Sequence, residues 1–130
     1  MKPPERFPPD DPREWLNRAR SNLVRAKNRI PGAYLEDLCF DAQQAVEKAV
    51  KAVMLDRGIE FPYVHDLARL LSILEADGEP IPPEVWSASK LTRYAVHSRY
   101  PDLEEAVLEN EYEETIATAE EVVGWAEKRL

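Results

Sequence analysis

Apolar residues recur at three- and four-residue intervals along almost the whole chain, and Gly and Pro cut that pattern into five helical stretches with little room for strands. Asp11 suits an N-cap, Pro12 the first helical position, and Glu14 stands three residues after the cap, as in a capping box. Trp15, Leu16, Ala19, Leu23, Ala26 and Ile30 then form one apolar stripe flanked by Arg and Lys, which Pro31-Gly32 ends. A long helix over roughly 33–57 follows, with Gly58 placed to cap its C-terminus. Beyond a loop at 58–64 containing Phe61-Pro62-Tyr63, a short helix over roughly 66–76 gathers Leu67, Leu70, Leu71 and Leu74 on one side. Pro83 opens a fourth helix, roughly 83–99, and Tyr100-Pro101 ends it because the residue before a proline disfavours helical geometry. The last helix, roughly 103–128 with an irregularity near Glu109-Asn110-Glu111, repeats Leu108, Tyr112, Ile116, Ala119, Val123, Ala126 and Leu130. The pattern predicts an all-α antiparallel bundle of four or five helices, one domain over 12–130 behind a Pro-rich segment at 1–11.

The long helix departs from a simple two-faced design. Projected at about 100° per residue, it places Tyr34, Leu35, Leu38, Cys39, Ala42, Ala45, Val46, Ala49 and Val53 on one broad face. Gln43, Gln44, Glu47, Lys48 and Lys51 fall together opposite, with Phe40, Met54 and Leu55 among them. A polar stripe bracketed by large apolar groups is expected either to form a partly buried surface, against a partner chain or a ligand, or to be a solvated face. In the second case Gln44–Lys48 and Glu47–Lys51 pair at i,i+4, each worth a few tenths of a kcal/mol.

Charge and cysteine content narrow the setting. The net charge of −8 is unevenly spread: residues 1–30 carry eight Lys/Arg against four Asp/Glu, and residues 100–130 carry two against ten. The overall sign argues against nonspecific duplex binding, which needs a basic surface to displace counterions. The two ends either meet across a fold or between subunits, or remain solvated helix faces. Cys39 is the one cysteine, so no intrachain disulfide forms, and its place on the apolar face predicts a buried, reduced thiol. The first eleven residues lack an apolar run that would signal secretion, and no stretch approaches a membrane span, so a cytoplasmic protein without a membrane partner is expected.

The fourth helix carries the sharpest chemistry. Trp86, Lys90, Arg93 and His97 are spaced four, three and four apart and line one face, while Val85, Ala88, Leu91, Thr92, Ala95 and Val96 take the other. Arg grips phosphate as a fork, Trp offers a ring to a nucleobase, and His is the group there that titrates near neutral pH. In RNA cleavage the imidazole would take the 2′-hydroxyl proton and the guanidinium would stabilise the charged phosphorane. An exposed cationic face without a ligand is the plain alternative. His65-Asp66 is read as a helix-start cap or a buried histidine rather than a ligand pair. Two histidines, one cysteine and scattered acids show no metal-ligand spacing, and no phosphate-binding Gly loop exists, so no metal and no cofactor are expected.

Three segments in order carry a family resemblance: Gln43-Gln44-Ala45-Val46-Glu47-Lys48-Ala49-Val50-Lys51-Ala52, then His65-Asp66-Leu67, then Arg99-Tyr100-Pro101-Asp102. Together they resemble the HEPN domain, a small all-helical module, over roughly residues 12–128. The last of the three looks like the branch of HEPN proteins encoded beside minimal nucleotidyltransferases. The resemblance implies a homodimer or higher homo-oligomer, a nucleotidyltransferase partner, nucleotide or RNA binding, and a place as the toxin half of a toxin–antitoxin pair. Trp86, Lys90, Arg93, His97 and Arg99 would then contact nucleotide or RNA, with Gln43, Gln44, Glu47, Lys48 and Lys51 as an interface or ligand surface. Arg99 and Asp102 also have a structural reading, as a cation at one helix end and a cap on the next.

Many HEPN proteins are metal-independent endoribonucleases whose motif, an arginine followed after four to six residues by a histidine, acts at a dimer cleft. The nearest match is Arg93-Tyr94-Ala95-Val96-His97, with three residues between and Tyr where that motif usually has a polar residue. Arg93 and His97 are accordingly the candidate catalytic pair. A structural interaction module that binds no nucleotide is the remaining alternative.

Overall fold

The computed structural model describes residues 2–97 and 106–130, the side chains of residues 96 and 97 excepted. It is all-helical: α1 Pro12–Lys27, α2 Leu35–Asp56, α3 Leu67–Ala76, α4 Pro83–Trp86, a 3-10 segment Ser87–Arg93, α5 Tyr94–His97 and α6 Glu109–Arg129. No helix among the described residues is long and apolar enough to cross a membrane.

Helix α2 is the axis of the molecule. From Leu38 to Met54 it presents buried residues in every direction, so it is enclosed by α1, α6 and the shorter segments rather than lying on them. Alanines at 42, 45, 49 and 52, all fully buried, leave room for neighbouring backbones to approach. Met54, expected beside the polar stripe, is itself fully buried, whereas Tyr34, expected on the apolar face, precedes the helix and is 75% exposed.

Helix α1 runs antiparallel to α6. Arg20 pairs with Glu127, Lys27 with Glu120 and Arg29 with Glu109, so ascending numbers on one helix meet descending numbers on the other. The basic residues of the first quarter and the acidic residues of the last quarter therefore meet across the fold.

Element boundaries shift where local chemistry outcompetes periodicity. α1 stops at Lys27 because Asn28 turns extended, and Ile30, read as part of the core stripe, is 56% exposed. Pro31 already disfavours helical geometry at that residue. Asp11 caps α1 by accepting from the Arg13 N–H, while the Glu14 carboxylate reaches back to the Phe7 N–H instead of completing a capping box. Gly58 and Gly78, at φ 72° and 100°, supply the left-handed turns after α2 and α3 that a side chain resists.

α6 begins at Glu109, six residues later than the pattern suggests. The preceding Leu108 is extended and 65% exposed, and the Val107 N–H is taken by the Glu36 carboxylate at 2.9 Å. From Tyr112 to Ala126 the predicted stripe is buried apart from the half-buried Ile116, while Leu130 is exposed. Residues 98–105 between α5 and α6, including Tyr100, Pro101 and Asp102, lie outside the described part.

Candidate functional site

Three residues of the α2 polar stripe, Gln43, Glu47 and Lys51, form a buried network, while Gln44 and Lys48 are half-buried. The Glu47 carboxylate accepts from Gln43 Nε2 and Lys51 Nζ, each at 2.9 Å, and lies 2.9 Å from His65 Nδ1. Gln43, Glu47 and Lys51 are 0%, 5% and 6% exposed. Lys51 lies beneath Trp15 and Phe61, whose rings meet edge to face at 5.4 Å, with its ammonium 6.0 and 5.2 Å from the two centroids. Burial pushes the Glu47 carboxyl up, but hydrogen bonds from His65, Lys51 and Gln43 outweigh it and leave the group below its ordinary value. The expected Glu47–Lys51 pair thus exists, inside the chain rather than in water, and Gln44 donates to Gln43 Oε1 instead of pairing with Lys48.

His65 neither caps α3 nor is buried. Asp66 is the cap, accepting from the Arg69 N–H, while the His65 side chain is 55% exposed. An ionised carboxylate can only accept, so Nδ1 of His65 is the donor to Glu47, while the rest of the ring is exposed. A base held in one tautomer by a buried carboxylate is the arrangement that general-base chemistry uses. Sequence reasoning missed this pairing because eighteen residues of chain separate the partners. The available signal was the acid inside the apolar helix, which demanded a partner.

The fourth stretch is not one α-helix. The Ser87 hydroxyl donates to the Glu84 carbonyl at 2.7 Å, and the chain tightens to 3-10 winding from Ser87 to Arg93. This winding breaks the single α-helical face proposed for Trp86, Lys90, Arg93 and His97. Lys90 and Arg93, three apart, still eclipse each other along a 3-10 helix. Both are exposed, and neither forms an ion pair among the described residues. Arg93 instead lies 5.7 Å from the centroid of the Tyr94 ring. Trp86 is half-buried against the core rather than a free stacking platform. Val85, Ala88, Leu91 and Ala95 turn inward as expected. The Thr92 hydroxyl accepts the Leu67 N–H at 3.0 Å, which docks the start of α3 on this segment. The His97 side chain and Arg99 lie outside the described residues.

A second polar cluster surrounds Lys48. Its ammonium donates to Asn22 Oδ1 at 2.7 Å, and Asn22 donates to Asp41, which also faces Arg25 at 3.7 Å. Burial, then the nearby Arg18, holds the Lys48 ammonium below its ordinary value. Cys39 is fully buried, and burial pushes its thiol up to about 12, so it stays protonated and inert. Among the described residues no three His, Cys, Asp or Glu side chains gather as a metal site.

Comparison with known proteins fits this frame. TT1696 from Thermus thermophilus has a solved structure that superposes with a TM-score of 0.77 at 33% identity, over 92% of this chain and 98% of that one. ST0689, described as an archaeal HEPN homologue, superposes with a TM-score of 0.72 at 28% identity, over 91% and 96%. No curated protein sequence matches significantly. The model of the HEPN domain matches residues 12–129, and with that span covered the chain belongs to the HEPN domain family.

Proposed function

We propose that this chain is an RNA- or nucleotide-binding HEPN module that acts as a homodimer or higher homo-oligomer beside a minimal nucleotidyltransferase, as the toxin half of a toxin–antitoxin pair. The observation that carries the binding is the pair Lys90 and Arg93. In a chain of net charge −8 these two cations are exposed and free of ion pairs among the described residues, while those of α1 are largely engaged by acids. Unneutralised cations stacked along one winding suit a phosphate backbone. Arg99 and His97 would extend this face and Trp86 would border it. Titration of labelled single-stranded RNA at two salt concentrations tests the reading. Wild type binds more weakly at high salt, and Lys90→Ala/Arg93→Ala flattens the salt slope by about two. Binding without salt dependence, or unaffected by the double variant, rejects this face.

A second reading is a metal-independent endoribonuclease with Arg93 and His97 as the catalytic pair at a dimer cleft. A second imidazole, His65, oriented by the buried Glu47 and exposed on its other side, favours it. Metal-free cleavage of a mixed-sequence RNA, with Arg93→Ala, His97→Ala and His65→Ala alongside, separates the readings. Intact RNA after incubation with wild type leaves binding alone, and loss of cleavage in one histidine variant identifies the base.

A further inference from the structure

We infer that Lys48 is a modification site, acylated on its side-chain nitrogen by a small acyl phosphate that enters the cavity between the N-terminal segment, α1 and α2. The site uses no residue of the Lys90–Arg93 face and goes beyond the function proposed for that face.

Geometry sets Lys48 apart from the other lysines. Lys51 is sealed against Glu47, Lys27 is paired with Glu120, and Lys2, Lys90 and Lys128 are exposed. Lys48 is half-buried, donates at 2.7 Å to the neutral Asn22 Oδ1, and forms no ion pair among the described residues. Arg18 and Arg25 on α1 repel its charge. Glu47 and Asp41 on its own helix attract it, but Glu47 is bonded to Lys51, His65 and Gln43, and Asp41 to Asn22. Burial and the two guanidiniums therefore favour the uncharged amine, which is the form that attacks a carbonyl carbon. A neutral amine still donates one proton to Asn22 and keeps its lone pair for the reagent.

The cavity beside Lys48 holds about 390 Å³, and Phe7, Pro9 and Trp15 wall it with apolar surface. Small-ligand sites begin at roughly 300 Å³. Arg18 Nε at 2.7 Å and Arg6 Nε at 3.4 Å share the single Glu14 carboxylate, so the lining stays one positive charge in excess even when Lys48 is neutral. Such a lining draws in a small anionic reagent. In the step itself the amine nitrogen bonds to the acyl carbon, the bond from that carbon to the phosphate oxygen breaks, and the surplus amine proton leaves with the phosphate. The amide that forms keeps one N–H for Asn22 and removes the charge that Arg18 and Arg25 oppose, so the fold has little to lose.

Incubation of the full chain with acetyl phosphate, followed by peptide mass mapping over time, tests the site. Lys48 is expected to acetylate about fivefold faster than the exposed Lys90 near pH 7. That lead disappears near pH 10, where exposed lysines also lose their protons. Arg18→Gln, at a half-exposed side chain, slows Lys48 near pH 7 and leaves Lys90 unchanged, which guards against a general change in reactivity. The inference is overturned if Lys48 is modified no faster than Lys90 near pH 7, or if Arg18→Gln leaves its rate untouched. A lead that persists near pH 10 also overturns it, since accessibility alone would then explain the labelling. RNA binding by the Lys90–Arg93 face is read in a separate titration, so either proposal can fail without the other.

Discussion

Along α2, Glu47 and Lys51 are shut inside the chain, while Lys90 and Arg93 on the 3-10 segment stand in water. Both groups occupy helical stretches with polar residues at three- and four-residue spacing, and the sequence pattern alone does not separate them. The difference lies in what surrounds each. α2 is enclosed around Glu47, so that charge persists only because Gln43, Lys51 and His65 satisfy both of its oxygens. The 3-10 segment buries one side and leaves its cations without an acidic partner among the described residues. A satisfied buried network serves the fold and positions one imidazole, whereas unneutralised surface charge is available to a ligand.

The sharpest way to break this contrast is to remove one side of the buried pair. Glu47→Leu strands Lys51 under Trp15 and Phe61 and is expected to cost about 3–5 kcal/mol in urea unfolding. Glu47→Leu/Lys51→Leu should recover much of that loss, since removing both charges removes the desolvation penalty. A small loss in the single variant would mean that the network is open to water.

Acid titration sharpens it further. Because the folded Glu47 carboxyl lies below its ordinary value of 4.5, the unfolded chain binds that proton more tightly. The contribution is therefore present above pH 4.5 and fades as pH falls through the folded value. Unfolding curves of wild type and Glu47→Gln, taken from about pH 5 to about pH 3, should converge toward the acid end. The smallest effect belongs to the open face: Lys90→Ala/Arg93→Ala should shift stability by less than about 0.5 kcal/mol. A larger shift would show those cations holding the fold together.

The sequence already carried the helical class and most of the core, because apolar periodicity and glycine placement are local properties. Asp11 and Gly58 marked helix ends correctly for the same reason. What escaped it depended on distant partners. Whether Glu47 faced water or His65 was decided by where the loop after α2 returns, and whether Trp86 stood free was decided by core packing. The 3-10 winding at Ser87–Arg93 arose from a serine hydroxyl competing for a backbone carbonyl, which a 3.6-residue projection cannot register. The Lys48 cluster was legible only in part, as one lysine of a stripe, because its partner Asn22 comes from α1.

In the order of folding, α1 and α2 are joined by a short loop and can pair as soon as both exist, but α6 must close loops of 80 to 107 residues to reach α1. Until then the apolar faces of the helical pair lie open. The acidic last helix approaches a basic first one, so opposite charge draws it in and sets its register before side chains interlock. Exposed ion pairs such as Arg20–Glu127 and Lys27–Glu120 add little to equilibrium stability. Their larger effect falls on how quickly the last helix arrives, a step that salt slows.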